Sequence, residues 1–136
     1  MSVKQISVFV ESKPGHLLRV LDSFAENGVS VRGYSASDTG DYGIVRFVVN
    51  DPEHALQVLH EIGFAATQTE ILCIKLEDKP GELARVIKVL SDCDINVNYS
   101  YSLISTYICM SVQDIAEAEA ELARQPIELI SQTDLL

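Results

Sequence analysis

The feature that most constrains this chain is that it repeats itself. The decapeptide ESKPGHLLRV at Glu11–Val20 returns as EDKPGELARV at Glu77–Val86, an offset of 79 − 13 = 66 positions. The offset matches Lys13-Pro14-Gly15 with Lys79-Pro80-Gly81, Leu17 with Leu83, Arg19-Val20 with Arg85-Val86, and Val31 with Val97. Apolar character agrees between the identities, as in Leu21 with Ile87, Phe24 with Leu90 and Val29 with Ile95. A match of this length makes the fold two copies of one unit within 136 residues.

Each copy reads as the same series of elements. Ile6, Val8 and Val10 alternate as one face of a strand, as do Leu72, Ile74 and Leu76. The Lys-Pro-Gly turn follows, and then Leu17, Leu21 and Phe24, or Leu83, Ile87 and Leu90, fall at helical spacing toward a core. The first helix stops at Asn27-Gly28, where glycine accepts a left-handed cap; Asp94 takes that place in the second copy. A strand begins at Val29 and Val31, or runs through Ile95, Val97, Tyr99, Tyr101 and Leu103. A turn at Asp38–Asp41 leads to a strand over Gly43–Val49, matched by Thr106–Val112. Asp51-Pro52 opens the next helix, and Asp114 with Glu117 forms a capping-box pattern. Short strands near Ala66–Glu70 and Ile127–Ser131 close the copies. The order is βαββαβ, twice.

Between Ala65 and Glu77 there is no Gly, Pro, Asn or Asp. The last strand of copy one is therefore expected to run into the first strand of copy two, holding the copies as one rigid unit. Alternation also places Phe9, Tyr34, Tyr42, Ile44 and Val48 away from the helices. That outer face is more apolar than a solvated sheet needs, and it points to packing against another sheet in a homodimer.

Composition narrows the partners. The net charge is −10, with five Lys/Arg against nine Asp/Glu up to residue 70 and five against eleven after it. Neither half has a basic stretch to neutralise phosphates, so nucleic acid and anionic membrane are poor partners. No apolar run reaches the ~18 residues of a membrane span, and the N-terminus lacks the apolar core of a signal peptide; both favour the cytoplasm. Cys73, Cys93 and Cys109 are widely spaced without a Cys-x-x-Cys pair. They read as small buried hydrophobes in a reducing compartment, and no metal site is expected.

The segments SKPGHLLRVLDSFAENGVSV and DKPGELARVIKVLSDCDINV, with the βαββαβ order, resemble the ACT domain family. They are similar to its Asp-x-Pro-Gly-x-Leu turn, its helix and its Gly-Ile/Val-Asn/Ser-Ile/Val strand entry. The resemblance covers essentially the whole chain and implies an α+β fold. It would have two ferredoxin-like βαββαβ domains in tandem, residues 1–70 and 71–136, with antiparallel sheets and helices on one face. It further implies a small effector, often an amino acid, bound where two ACT domains meet and beside the turn glycine. No catalytic domain and no cofactor are implied.

Viewed alone the motif reads first as a plain strand-to-helix turn; its repetition and the family pattern turn the reading toward a site. Ser12 and Asp78 are placed to cap helices starting at the turns, and Pro14 and Pro80 suit a first helical turn. Gly15 and Gly81 let a group approach the backbone, and free amides at a helix start favour a carboxylate. An ammonium would find Asp78 or the oxygen of Asn96. The candidate ligand-binding residues are thus Ser12, Lys13, Pro14, Gly15, His16, Leu17 and Ser30, with Asp78, Lys79, Pro80, Gly81, Glu82, Leu83 and Asn96. The exchanges Ser12/Asp78, His16/Glu82 and Ser30/Asn96 point to one composite site between the copies or to two sites of different affinity.

Other features read as structural. His54 and His60 are six residues apart on a helix and do not share a face at ligand spacing. Tyr99 and Tyr101 are expected on the apolar face with Ile95 and Val97. No nucleophile–His–acid set, phosphate loop or metal set can be assembled, so no catalytic residues are assigned and an enzyme is not expected. The expected function is an amino-acid-sensing regulator of a metabolic enzyme. The alternative is a ligand-free structural or assembly subunit of such an enzyme.

Overall fold

The repeated alternation of strand and helix is realised twice. A computed structural model describes residues 2–38, 40, 42–104 and 106–136. The first copy runs β1 (Val3–Glu11), α1 (His16–Glu26), β2 (Val31–Asp38), β3 (Tyr42–Val49), α2 (Pro52–Glu61) and β4 (Ala66–Lys75). The second continues with α3 (Glu82–Asp92), β5 (Val97–Ser102), β6 (Tyr107–Val112), α4 (Ile115–Ala123) and β7 (Glu128–Leu129), then a 3-10 turn over Gln132–Leu135. Of the turn expected at Asp38–Asp41, Thr39 and Asp41 lie outside the described residues. As expected from the missing turn signals, β4 is one unbroken strand.

The chain divides into two compact units. One comprises Lys4–Thr69 with Leu135–Leu136; the other comprises Glu70–Asp134 with the residues up to Val3. In the first unit the strand order is β2-β3-β1-β4, with β3 antiparallel to both β1 and β2. Ile6, Val8 and Val10 pack with Val45, Phe47 and Val49 against Val20 and Phe24 of α1 and Ala55, Val58 and Leu59 of α2. Phe24 meets Phe47 edge to face at 5.2 Å. The second unit repeats the order as β5-β6-β4-β7. Its core joins Leu72, Ile74 and Met110 to Val86, Leu90, Ala118 and Leu122. Each is an α+β, ferredoxin-like layer of helices on one face of an antiparallel sheet.

Three local expectations are corrected. The core stripe of the first helix in each copy is centred on Val20 and Phe24, or Val86 and Leu90, which are fully buried. Leu17 and Leu21 flank that stripe and stay partly buried, while their counterparts Leu83 and Ile87 are exposed.

The second correction concerns faces. Val31 pairs with Val49 but Gly33 with Val48, so Arg32 is an inserted residue; Val97, Asn98 and Tyr99 repeat the bulge against Val112 and Ser111. One inserted residue reverses the alternation beyond it. Tyr34 therefore lies across from Phe47 on the helix side, its ring stacked 6.3 Å away, rather than on the outer face. Tyr99 and Tyr101 move the opposite way and lie across from Ser111 and Cys109, away from the core. Their rings stack at 6.5 Å.

Third, β7 is only two residues long. Asp134 accepts hydrogen bonds from the Ser131 amide and hydroxyl at 2.9 and 3.1 Å, which draws the chain into the 3-10 turn instead of a longer strand.

Candidate functional site

The two Lys-Pro-Gly turns share the same backbone hydrogen bonds and the same Lys–Glu pair. Lys13 N donates to Glu11 O at 2.8 Å, and Lys79 N to Glu77 O at 3.0 Å. The amides of Arg19 and Arg85 donate to the carbonyls of Gly15 and Gly81 at 3.0 and 2.9 Å. Lys13 pairs with Glu11 at 3.1 Å and Lys79 with Glu77 at 2.9 Å. These pairs hold the Glu11 carboxyl below its ordinary range and raise Lys79, in each case chiefly through the hydrogen bond between the partners. The repeated arginine is a strut from the helix to the far end of its unit. Arg19 Nη2 reaches Ile62 O at 3.1 Å, and Arg85 Nη1 reaches Pro126 O at 3.2 Å. Turn and brace mechanics thus account for the repeated Glu, Lys, Gly and Arg.

The helix starts differ from expectation. The N-caps are Gly15 and Gly81 themselves, at φ 90° and 86°, residues with no side chain to cap with. The N-cap positions thus fall on the glycines rather than on Ser12 and Asp78, and Pro14 and Pro80 stand in the turn rather than in the first helical turn. The geometry is one that only glycine adopts without strain, which explains its presence in both copies. A Cβ at either glycine would meet nothing within 4 Å, so the space beside the turn is open.

Each turn borders a hollow. The first, about 370 Å³, is lined by Val10, Glu11, Ser12, Lys13, Pro14 and Leu17, and by Ala36, Ser37, Gly43 and Val45. The second, about 410 Å³, is lined by Leu76, Glu77, Asp78, Lys79, Glu82, Leu83, Thr106 and Ile108. Both are of a size that takes a small ligand. Position for position they correspond, with Gly43 and Val45 of β3 answering Thr106, just before β6, and Ile108 within it. The first hollow is mostly apolar; the second is rich in carboxylates.

Of the residues expected from the sequence, Ser12, Lys13, Pro14 and Leu17 line the first hollow, and Asp78, Lys79, Glu82 and Leu83 the second. Gly15, Pro80 and Gly81 form the turns without lining, and His16 begins α1 half-buried. Ser30 and Asn96 are not brought to these hollows. They follow the other end of an 11-residue helix, ~16 Å away along its axis. There the Ser30 amide donates to Asn50 Oδ1 at 2.8 Å, and Asn96 borders a separate recess with Ser91 and Asp94. The third strand of the first copy adds Gly43 and Val45 to its hollow, beyond the residues expected from the sequence. Gly43, a glycine inside a strand, is the one signal for it, since a side chain there would press within 3.1 Å of the Ser37 carbonyl.

Charges in the second hollow are unequal. Arg85 Nη2 binds Glu82 at 3.1 Å and holds that carboxyl below its ordinary range. Glu77 is engaged by Lys79. Asp78 is the carboxylate of this hollow without an ion-pair partner among the described residues. No group of three or more His, Cys, Asp or Glu side chains is placed to hold a metal among the described residues, and no helix is long and apolar enough to cross a membrane.

The family model of the ACT domain pair matches residues 1–135. Among solved structures, protein BT0572 from Bacteroides thetaiotaomicron is similar at TM-score 0.94 and 28% identity, over 99% of this chain and 96% of that one. The ligand-free regulatory subunit of aspartate kinase from Thermus thermophilus is similar at TM-score 0.66 and 18% identity, over 90% and 89%. The regulatory subunit from Thermus flavus is similar at 0.62 and 21%, over 90% of each chain. At these identities the two kinase subunits share the fold. No curated protein matches the chain.

Proposed function

The chain belongs to the ACT domain pair family, and from that premise we propose that it is a non-catalytic regulatory protein that binds an amino acid and controls a metabolic enzyme. The observation that carries the reading is the open hollow beside a left-handed glycine at the start of α3. The uncapped amides there suit an α-carboxylate, and Asp78 suits the ammonium. Leu76, Leu83 and Ile108 offer apolar contact to a side chain. The first hollow has the same amides and Ser12 in place of Asp78, so it binds the same ligand more weakly or a different one. Ser30 and Asn96 are not part of this assignment.

Two or three charge-assisted hydrogen bonds of ~1.5–3 kcal/mol each, with a buried side chain, approach the ~8 kcal/mol of micromolar binding. Calorimetric titration with each of the common amino acids tests the site. One or more should bind, and Asp78→Asn should weaken that binding about 10–100-fold with the thermal midpoint nearly unchanged. If no amino acid binds at millimolar concentration, the ligand-sensing reading fails and the assembly-subunit reading replaces it.

The same reading makes the protein a homodimer. Phe9 and Tyr42, 48% and 56% exposed, flank half-buried Ile44 on the sheet face away from the helices. Phe9 lies directly across from Ile44. A second copy is the partner whose own patch is complementary by symmetry. The regulated enzyme would read changes in ligand occupancy as a shift between conformations of unequal affinity.

A further inference from the structure

Cys73 and Cys109 are 36 positions apart in sequence and directly opposite in space. β4 and β6 run antiparallel, and Leu76 N donates to Thr106 O at 3.0 Å. Bonded pairs therefore fall at Leu76/Thr106, Ile74/Ile108 and Leu72/Met110, and Cys73/Cys109 occupies the non-hydrogen-bonded position between the last two. A second bond agrees. The Cys73 carbonyl, turned away from β6, accepts from Ile130 N at 2.8 Å. Non-hydrogen-bonded pairs bring opposite Cα atoms to about 4.5 Å. That is inside the range of about 4.4–6.8 Å that a disulfide spans, at its short edge. The two sulfurs face each other at 2.7 Å, and both residues are fully buried.

We propose that Cys73 and Cys109 form a redox site, in which a hydroperoxide oxidises the two thiols to a reversible cross-strand disulfide. One thiol loses its proton, and its sulfur attacks the peroxide O–O bond, giving a sulfenic acid and one water. The sulfur of the neighbouring thiol then displaces that hydroxyl as a second water and closes the S–S bond. Two thiols and one hydrogen peroxide give one disulfide and two waters, with two electrons passing from sulfur to oxygen. An external dithiol reverses the reaction by exchange.

The reaction is gated. The hydrogen bond to Cys73, and then burial, hold the Cys109 thiol protonated well above the ordinary range. Oxidation therefore waits on local opening of the β4–β6 pair. Half-buried Cys93 provides an internal control, since nothing places it opposite another sulfur.

The reduced chain should be treated with an excess of hydrogen peroxide (about 10:1), capped with N-ethylmaleimide and mapped without reduction. The expected product is a linked pair of the Cys73 and Cys109 peptides, about 2 Da lighter than the sum of the two reduced peptides. Dithiothreitol should restore both thiols, and Cys93→Ser should leave the yield unchanged. The proposal is overturned if both thiols survive hours of treatment in the folded protein. It is equally overturned if the product is an oxygen adduct or a link through Cys93. The wild-type map decides the question, so the result does not depend on how well a Cys73 or Cys109 variant folds.

Discussion

Asp94 is a residue at which the two copies keep one backbone conformation with different side chains. It holds φ 59°, the left-handed conformation that Gly28 holds at 72° in the first copy. The following amides close the same bond in each case, Val29 N to Phe24 O and Ile95 N to Leu90 O, both at 2.9 Å. The helix terminus thus imposes the conformation whether or not the residue suits it. A left-handed L-residue costs ~1–2 kcal/mol, less for Asp, and glycine returns part of the gain through its freer unfolded state. Asp94→Gly should stabilise the protein by about 0.5–1 kcal/mol, read as a higher denaturant midpoint with unchanged slope. An equal or lower midpoint would show that Asp94 is held by interactions worth more than its strain. Gly15 and Gly81 obey the same backbone rule without such a compromise, so their repetition argues for turn geometry before it argues for a ligand.

At the scale of elements, repetition and divergence separate cleanly. The strut from Arg19 or Arg85 and the clasp of Glu11 with Lys13 or Glu77 with Lys79 keep each helix start in place. Only the second copy adds an acid in the first helical turn, Glu82, pinned by Arg85. Because its folded-state carboxyl titrates below the ordinary value of 4.5, the pair stabilises α3 above that pH. The contribution is lost as pH falls through the lowered folded value. Thermal unfolding followed from neutral pH into acid should therefore bring the wild type and Glu82→Gln together in acid, the wild type having the advantage only at the upper end. A gap independent of pH would mean that Glu82 acts through packing alone. The paired bulges at Arg32 and Asn98 belong to this scale as well. A single inserted residue in each second strand decides which face its tyrosines occupy.

For the whole molecule, two related hollows and one exposed apolar patch are the features with consequences. The patch of Phe9, Tyr42 and Ile44 is the surface on which the proposed dimer rests. Phe9→Glu should convert the dimer to monomer in sedimentation or light scattering while far-ultraviolet circular dichroism is retained, because the side chain is half exposed and outside the core. A wild-type protein that is monomeric at micromolar concentration, or a variant that still dimerises, would move the interface elsewhere. The proposed dimer would carry the diverged hollows in duplicate and give the proposed ligand a quaternary arrangement to act upon. Membership of the family makes that arrangement the natural place to look for regulation.

Much of this was legible before any coordinates. The 66-residue repeat, the alternation of Ile6, Val8 and Val10, the helix stop at Gly28 and the absence of a turn before Glu77 determined the element order and tandem organisation. They are local consequences of backbone preference and burial, which a linear sequence carries. The turn half of each hollow was legible for the same reason. What the sequence could not carry was pairing. The bulges at Arg32 and Asn98 leave no compositional mark, yet they moved Tyr34 to the helix side and Tyr99 and Tyr101 away from it. Likewise Ser30 and Asn96, close to the turn motif in sequence, stand a helix length from it, while Gly43 and Thr106 come to it from the third strand. The meeting of Cys73 with Cys109 across 36 positions is the clearest case. Register between strands is set by which ladder of hydrogen bonds satisfies every backbone group at once, and that condition exists only in the folded chain.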